Sequence, residues 1–496
     1  MPVPELLAAV DLGSNSFRLL IGRVVKTPAG TQVYPLDSLK ETVRLASGLT
    51  SEKMLDADSQ RRALIVLERF GDRLRSFAPH TVRAVATNTL RVAKNAGEFL
   101  GKAEALLGFP IEVIAGREEA RLIYTGVANT VSLGSGSTLV VDIGGGSTEF
   151  IIGEGRDPRL MESLFMGCVS YSLRFFPNGE IDKHSLKQAE LAAQKELEVI
   201  ARQYLDAGWQ HAIGSSGTAR ALGEILEQNG LSSEGITRDG LGALRELMLQ
   251  AGNAGRLKLE ALKADRVPVL PGGFAIMSAV FKMLDLEMLT VTDGALRQGV
   301  LYDLLGRSEH HDMRDVTIGQ FTHRYGVDRA QAKRVAALAL QLLKPLVTTD
   351  EEADIDIARR LQWAAMLHEI GLSISHAGYH KHSAYILSYA DMPGFSKMDQ
   401  AKVALIALGH TGKLGKLAGS IEEAHEWLAV LCLRVAALVH RRRTDIDVSG
   451  LAIARNGNGY VLHADAAWLA DHPLTEFNLR QESAEWARVG IPLDLV

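Results

Sequence analysis

Cysteine is nearly absent from this chain of 496 residues. Cys168 and Cys432 are its two cysteines, which argues against a disulfide framework and a cysteine-based zinc site. A surplus of positive charge is also missing, because 54 Lys and Arg residues stand against 59 Asp and Glu residues, for a net charge of −5. This balance excludes a globally basic nucleic-acid-binding protein, and we expect no specific nucleic-acid binding.

Long hydrophobic runs and targeting signals are missing as well. The most apolar helical stretch, Trp427 to His440, contains Arg434 and is too short to span a bilayer. The first residues, MPVPELLAAVDLG, lack the basic region of a signal peptide and lead directly into a strand-like run. We therefore expect a cytoplasmic protein that does not enter a membrane.

The composition that remains is that of a folded protein with several cores. Hydrophobic residues make up 47% of the chain and charged residues 23%, and a chain of this length predicts three or four domains. Helical patterns dominate from Gln320 to Arg441, and short strand-like runs follow from Asp445. Before them, Asp303–Asp315 is predicted to be a linker that contains the charged cluster Glu309-His310-His311-Asp312.

Strand-like and helix-like runs alternate over the N-terminal part of the chain, which predicts an α/β architecture. The amphipathic stretch Ala63–Phe77 is a predicted helix between two of the strands. The predicted strands are Ala8–Asp11, Val82–Ala86, Ile111–Ile114, Leu139–Ile143, Ala212–Gly214 and Met288–Thr292.

Glycine, in contrast to proline, is abundant, and part of it lies in an internal repeat. Residues 9–22 read AVDLGSNSFRLLIG and residues 140–153 read VVDIGGGSTEFIIG, with six of fourteen positions identical. Each copy predicts a strand, a glycine-rich turn after an Asp, and a second strand. A single such hairpin is also consistent with a plain tight turn, but two matched copies favour duplicated halves that face each other across a cleft.

Phosphate chemistry suits this repeat, because glycine lets backbone N–H groups approach an anion closely. Asp11 and Asp142 end the first strand of each copy and are the candidate ligands for Mg²⁺. Two further turns are weaker candidates for phosphate binding. Gly214–Thr218 lies between a strand and a helix and is also typical of an ordinary loop, whereas Asp293 is also consistent with a simple helix cap.

Several segments in the same order resemble the exopolyphosphatase / guanosine pentaphosphate phosphatase family, within the actin–Hsp70–sugar kinase superfamily. They extend over about the first 305 residues, and the helical segment LHEIGLSISHAGYHKHSAYIL (367–387) resembles the C-terminal region of longer members. The matching segments are DLGSNSFRLLI (11–21), ATNTLRVAKNA (86–96), IAGREEARLIYTGV (114–127), VVDIGGGSTEFIIG (140–153), GSSGTARAL (214–222) and TDGALRQGVLYDLL (292–305).

The resemblance implies an α/β fold class with two duplicated actin-like (ribonuclease H-like) domains of the ATPase type, followed by an α-helical HD-like domain and a small α+β domain. The expected bounds of the domains are 1–128, 129–305, 316–443 and 444–496.

The resemblance also implies roles for individual residues. Glu119 matches the family's catalytic glutamate, the general base for the attacking water, and Arg91 matches a phosphate clamp. Glu149 is a second candidate catalytic acid and metal ligand, whose counterpart in the first repeat is Arg18. The expected phosphate cradle comprises Ser14, Asn15, Ser16, Gly144, Gly145, Gly146, Ser147, Ser215, Gly217 and Thr218.

Three of these assignments have alternatives that the residues alone leave open. Glu118 and Glu119 are also typical of a solvated helix start, where acidic side chains favour the helix dipole. Because the two lie about 100° apart around a helix, they cannot both face the cleft equally. Arg18 is also consistent with a surface strand residue, and Arg91 with a solvated helix start.

The helical region holds a group of histidines. The resemblance to HD phosphohydrolases is incomplete, because His368-Glu369 stands where that family has His-Asp and no full ligand set is evident. Together with nearby basic residues, the group is consistent either with a polyanion channel or with a solvated surface. Its members are His368, His376, His380, His382, His410, Lys381, Lys413, Lys416, Arg441, Arg442 and Arg443.

The favoured function is Mg²⁺-dependent, processive removal of terminal phosphate from inorganic polyphosphate, with guanosine pentaphosphate as a possible second or main substrate. The resemblance further implies a monovalent cation such as K⁺ and a homodimer. The alternatives are a polyphosphate- or nucleotide-binding regulator with vestigial hydrolysis and a small-molecule kinase of the same fold. An acid placed to activate water favours hydrolysis over phosphoryl transfer.

Overall fold

The computed structural model describes residues 4–27, 30–131, 133, 136–308, 312–347, 352–421 and 423–496. The chain divides into two compact units, Met1–Asp312 and Met313–Val496. Within the described ranges, no helix is long and apolar enough to cross a membrane.

The first sheet of the N-terminal unit forms around a fully buried strand. β1 carries Leu7, Ala8, Ala9 and Val10, all with no exposed surface, and a run this apolar belongs at the centre of a sheet. Its neighbours are antiparallel β2 and parallel β4, in the order β3–β2–β1–β4–β5. The strands are β1 (Leu6–Leu12), β2 (Ser16–Thr27), β3 (Gly30–Thr42), β4 (Val82–Ala86) and β5 (Ile111–Val113).

The second sheet repeats this arrangement. Its order β10–β11–β9–β6–β7–β8, taken from the other end, matches the first sheet strand for strand, with β10 added at the edge. The directions match too, since β6 pairs antiparallel with β7 and parallel with β9. The predicted duplication is therefore confirmed. The strands are β6 (Ser137–Ile143), β7 (Thr148–Glu154), β8 (Asp157–Leu164), β9 (His211–Gly214), β10 (Ile236–Thr237) and β11 (Met288–Val291).

Helices cover both sheets and also fill the space between them. α1 and α3 pack on the first sheet, α6 and α9 on the second, and α4 and α10 share one core with both sheets. The helices of this unit are α1 (Ala57–Leu74), α2 (Asn88–Val92), α3 (Ala96–Leu107), α4 (Gly116–Thr130), α5 (Cys168–Phe175), α6 (Lys183–Ala207), α7 (Gly217–Gln228), α8 (Arg238–Ala251), α9 (Leu270–Met283) and α10 (Leu296–Ser308).

The structure corrects some of the predicted bounds. Helix α1 begins before the predicted stretch, because the Asp56 carboxylate accepts a hydrogen bond from the Ser59 N–H and caps it. The predicted linker is wrong over most of its length, since Asp303 lies inside α10 and Asp315 inside a helix of the second unit. Of its charged cluster, residues 309–311 lie outside the described residues, and Asp312 is buried.

The C-terminal unit is helical with a small sheet. The sheet, in the order β12–β13–β14, contributes Ile453 and Leu462 to the same hydrophobic core as the helices. The elements are α11 (Met313–Arg324), α12 (Arg329–Leu343), α13 (Glu352–Leu367), α14 (Tyr379–Tyr389), α15 (Lys397–Gly409), α16 (Ala424–Val439), β12 (Ala452–Asn456), β13 (Gly459–His463), α17 (Ala466–Asp471), α18 (Pro473–Ala487) and β14 (Leu493–Leu495). The bounds expected for four domains and the HD-like character of the helices stay predictions.

Two of the singled-out histidines form a buried pair in this unit. His368 and His410 are each 2% exposed, and their rings meet edge to face with centroids 5.0 Å apart. Each Nδ1 faces a carbonyl oxygen one turn back, and His410 Nε2 lies 2.9 Å from the Tyr379 hydroxyl. Among the described residues, no group of three or more His, Cys, Asp or Glu side chains has the arrangement of a metal centre. The pair is thus a packed, hydrogen-bonded element of the core.

This pair predicts acid sensitivity of the C-terminal unit. Burial lowers the pKa of both His368 and His410, and His368 lowers that of His410 further. The folded state then keeps the rings neutral, so their contribution is complete above pH 6.5 and falls by up to about 1.4 kcal/mol per histidine per pH unit below it. The groups that face His410 are Tyr379 and His380 on α14, His368 after α13, and Lys416.

Urea unfolding at pH 7.5 and pH 5.5 tests this, with fluorescence as the readout because four of the five tryptophans lie beyond residue 312. We expect His410→Asn to reduce the loss of stability between the two pH values. The control is His463→Asn at an exposed position, which should leave the loss unchanged. An equal loss in the wild type and in His410→Asn would contradict the prediction.

Candidate active site

The two repeated hairpins carry pairs of charged side chains at equivalent positions. Asp11 lies opposite Arg18 in the β1–β2 register, and Asp142 lies opposite Glu149 in the β6–β7 register. Directly opposite residues of an antiparallel pair project on the same face. Each Asp is therefore accompanied by a charged side chain, a cation in the first repeat and an acid in the second.

The two turns that follow these aspartates approach each other closely. A Cβ atom added to Gly145 would lie 2.9 Å from the Ser14 Cβ and 3.2 Å from the Asn15 amide nitrogen, so only glycine allows the contact. Beside it is a cavity of about 120 Å³. Its wall includes most of the predicted cradle: Ser14, Asn15, Ser16, Gly144, Gly145, Ser147, Ser215, Gly217 and Thr218, together with Asp11, Asp142 and Glu119.

Unpaired polar atoms concentrate in and around this cavity. Buried polar atoms normally have a hydrogen-bond partner, so each exception calls for an explanation. A ligand bound in the cavity would offer such atoms partners. Within the described part of the chain, the buried atoms of this region without a hydrogen-bond partner are Asp11 Oδ1, Asn15 Oδ1, Ser16 Oγ, Asn88 Nδ2 and Arg220 Nε.

The two aspartates suit a hard divalent cation. Burial raises the pKa of Asp11 to about 6, against the opposing effect of Arg18. Burial also raises the pKa of Asp142, whose Oδ2 accepts a hydrogen bond of 2.7 Å from the Ser215 hydroxyl. Two desolvated carboxylates, one with an unpartnered oxygen, fit Mg²⁺, which takes one or two protein carboxylates and completes its shell with water and substrate phosphate.

Glu119 is the candidate general base of the site. The first turn of α4 presents it, its side chain is 9% exposed, and Arg91 Nη1 donates to its Oε2 at 3.2 Å. Burial raises the pKa of Glu119 to about 7, while Arg91 opposes the rise and both aspartates add to it. A carboxylate with a pKa near neutrality is suited to take a proton from water.

Glu149 and Arg91 lie behind the cavity wall rather than on it. The Ser163 hydroxyl donates to Glu149 Oε1 at 2.8 Å, and burial, then Glu119 and Asp142, raise the pKa of Glu149 well above its usual range. Arg91 donates to the Ile114 carbonyl at 2.8 Å as well as to Glu119. Gly146 also lies off the wall, next to the Asn88 side chain. Their roles stay predictions.

The neighbouring Glu118 faces away from the cavity. Arg121 donates to both of its carboxylate oxygens at 2.8 Å, and the pair is buried. The expectation of a solvated helix start is therefore wrong for both glutamates, whereas the expectation that they cannot face the cleft equally is confirmed. Helical geometry separates them, and a polar network behind the site holds Glu118.

Four arginines also line the cavity, alongside the acids Asp11, Glu119, Asp142 and Asp293. Arg18 lines it, so the surface alternative for this residue is wrong. Burial lowers the pKa of Arg18 and that of Arg297, the latter to about 10. Arg220, Arg266 and Arg297 were not identified from the sequence. The first and last lie inside the matched segments GSSGTARAL and TDGALRQGVLYDLL, but Arg266 has no signal in the sequence around it.

Comparison with known proteins identifies the family of the chain. The family model described as the Ppx/GppA phosphatase family matches residues 23–308, and the model described as domain III of the Ppx/GppA phosphatase matches residues 313–483. A curated relative, the guanosine-5'-triphosphate,3'-diphosphate pyrophosphatase of Pseudoalteromonas translucida, is 38% identical over 99% of this chain and 98% of its own length.

Solved structures agree. An exopolyphosphatase from Cytophaga hutchinsonii is 25% identical with a TM-score of 0.55, covering 61% of this chain and 98% of its own. The Aquifex aeolicus PPX-GPPA enzyme is 26% identical with a TM-score of 0.50, covering 60% of this chain and 98% of its own. The fold, the cavity and these matches lead to one assignment: the chain belongs to the Ppx/GppA phosphatase family and is a phosphoanhydride hydrolase.

Proposed function

We propose that this enzyme removes the terminal 5'-phosphate of guanosine pentaphosphate in a reaction that depends on Mg²⁺. The observation that carries the proposal is the convergence of Glu119, Asp11 and Asp142 on a cavity with four arginines. The choice of substrate is supported by the guanosine-5'-triphosphate,3'-diphosphate pyrophosphatase of Pseudoalteromonas, which matches this chain over nearly its whole length.

The residues divide the work of hydrolysis. Asp11 and Asp142 would hold Mg²⁺, which supplies charge stabilisation to the phosphate oxygens. Glu119 takes the proton of the attacking water, and Arg91 keeps its carboxylate in place. Arg18, Arg266 and the backbone N–H groups of the glycine turns neutralise the charge of the phosphate chain. Glu149 lies one layer behind, where burial and then Glu119 and Asp142 raise its pKa and thereby favour its protonated form.

The sequence alone favoured polyphosphate as the substrate. A second cavity gives a reason to prefer a nucleotide. It has a volume of about 330 Å³ and shares Arg220 and Asp293 with the first cavity. Glu224 and Glu227 on α7 contribute to its wall. Carboxylates accept hydrogen bonds from the N–H groups of a base or the hydroxyl of a ribose, which polyphosphate lacks. The nucleoside part of the substrate would have room there.

A substrate comparison tests the proposal. Purified full-length enzyme, with Mg²⁺ and K⁺ present, is expected to have kcat/KM for guanosine pentaphosphate at least about 10-fold above that for long-chain polyphosphate. Phosphate release measures the rate, and chromatography should show the tetraphosphate as the product. The reverse ranking would make the enzyme an exopolyphosphatase, and turnover of neither substrate would overturn both assignments.

Polyphosphate is the second candidate substrate, and the Cytophaga exopolyphosphatase favours it. Both substrates end in a phosphoanhydride, and the cavity wall engages that end. Membership of a phosphatase family argues against the kinase and regulator alternatives. The need for K⁺, processivity, the homodimer and the cytoplasmic location stay predictions.

A further inference from the structure

A buried network of ion pairs lies behind Glu119. Asp303 is at its centre, accepting from Arg83 Nη1 at 2.7 Å, from Arg307 Nε at 3.2 Å and from Arg121. Arg83 also donates to Glu112 at 2.9 Å. Among the described residues, its members include Arg83, Glu112, Glu118, Arg121, Asp303 and Arg307, whose side chains are 1% to 18% exposed.

The network connects the elements that carry the catalytic groups. Arg83 lies on β4, the strand paired with the one that bears Asp11. Glu118 and Arg121 lie on α4, whose first turn presents Glu119. Asp303 lies on α10, whose first turn presents Arg297 to the cavity. One set of ion pairs thus fixes a strand and two helices to each other.

At Gly299, the backbones of α10 and α4 are in direct contact, with no side chain between them. A Cβ atom added to Gly299 on α10 would lie 1.7 Å from the Leu122 carbonyl oxygen on α4. At such a contact, a small sliding of one helix cannot be absorbed by a change of rotamer. It would move Glu119 as a unit with its helix.

The cost of burying so many charges also calls for an explanation. These six described side chains carry three positive and three negative formal charges, which balance one another. Buried ion pairs are often no more stabilising than apolar residues of the same size, and in some proteins their role is to specify one geometry. Removing the charge of one member leaves one excess buried charge among the others, which is costly.

We propose that this network is a positioning device for catalysis, which holds α4 against β4 and α10 so that Glu119 meets the water beside Asp11 and Asp142. The inference rests on the proposed function, in which Glu119 is the base. None of these members lines the cavity, so they act through the position of α4.

Arg121→Lys tests the proposal, because lysine keeps the charge but cannot donate bidentately to Glu118 while reaching Asp303. We expect kcat to fall about 100-fold, the effect of misplacing a catalytic group by about 1 Å, and KM to stay near the wild-type value. Glu112→Gln, at the less buried edge of the network, should give a smaller fall in kcat and serves if Arg121→Lys does not fold.

The matched control is Arg245→Met, which removes the Arg245–Glu190 ion pair of the same unit, away from α4 and α10. It should lower the melting temperature but not kcat. A loss of kcat equal in Arg245→Met and Arg121→Lys, or an unchanged kcat in Arg121→Lys, would overturn the proposal.

A crystal structure of Arg121→Lys gives a readout that needs no activity. We expect the Glu119 carboxylate to move away from Arg91, beyond their present 3.2 Å. An unmoved Glu119 would refute the positioning role whichever substrate the enzyme takes. Failure of the wild type to hydrolyse either substrate would refute the proposed function and leave this structural result standing.

Discussion

Glu119→Gln is expected to lower kcat by about 10³-fold, because glutamine has the size of glutamate but cannot accept the proton of the attacking water. KM should change little, since Arg18, Arg266 and the glycine turns still bind the phosphate chain. Steady-state phosphate release gives kcat and KM. Calorimetry on the inactive variant should show that guanosine pentaphosphate still binds.

The control for this variant is Glu162→Gln. Glu162 pairs with Arg117 at the surface beside the first turn of α4, so the change removes the same charge near the same helix without touching the cavity. It should leave kcat unchanged. If Glu119→Gln keeps activity within about tenfold of the wild type, Glu119 is not the base. Glu149→Gln would then be the next variant to measure, since Glu149 is the neighbouring buried acid.

Asp11→Asn and Asp142→Asn are expected to reduce kcat/KM by about 10³-fold each, equivalent to the several kcal/mol that a bound metal contributes to phosphoryl transfer. An amide is a weaker ligand than a carboxylate, so the Mg²⁺ concentration for half-maximal activity should also rise. Titration of the activity with Mg²⁺ measures both effects. Unchanged half-saturation in both variants would show that these aspartates do not hold the metal.

The same substitution should stabilise the metal-free protein. The Asp11 Oδ1 atom is buried without a hydrogen-bond partner, and burial outweighs the effect of Arg18 and raises the pKa of Asp11 to about 6, so the ionised form is costly to keep. We expect Asp11→Asn to melt at a higher temperature than the wild type in EDTA, while it loses activity, as is common at functional sites. Asp37→Asn, which removes a surface partner of Arg73, is the control and should change neither property.

The sequence predicted the strands of both sheets that are apolar and short. β4 matches its predicted bounds, and β9 and β11 differ from theirs by a single residue. It did not predict β3 or β8. These strands alternate between polar and apolar residues at a sheet edge, and their partners, not their composition, decide that they are strands.

Prediction of the site was limited by a different cause. Residues within a turn, such as Ser14–Ser16, are placed by local geometry, so the repeat located them directly. Arg266 reaches the cavity from a segment between α8 and α9, and no short-range pattern marks it. The raised pKa of Glu119 could not be predicted from the sequence either. Its main cause is burial, and distant parts of the chain determine that burial.

The sequence by itself determined that there are two matched hairpins, each with an Asp before a glycine-rich turn, and hence that this is a protein of phosphate chemistry. Backbone conformation at glycine and the direction of a side chain in a hairpin depend on near neighbours. Only the tertiary structure decided that Arg18 and three further arginines converge on the cavity, that Glu149 lies behind its wall, and that Glu118 belongs to an ion network. Those outcomes depend on which surfaces of α4, α7 and α10 pack together. No single segment of the sequence determines such long-range packing.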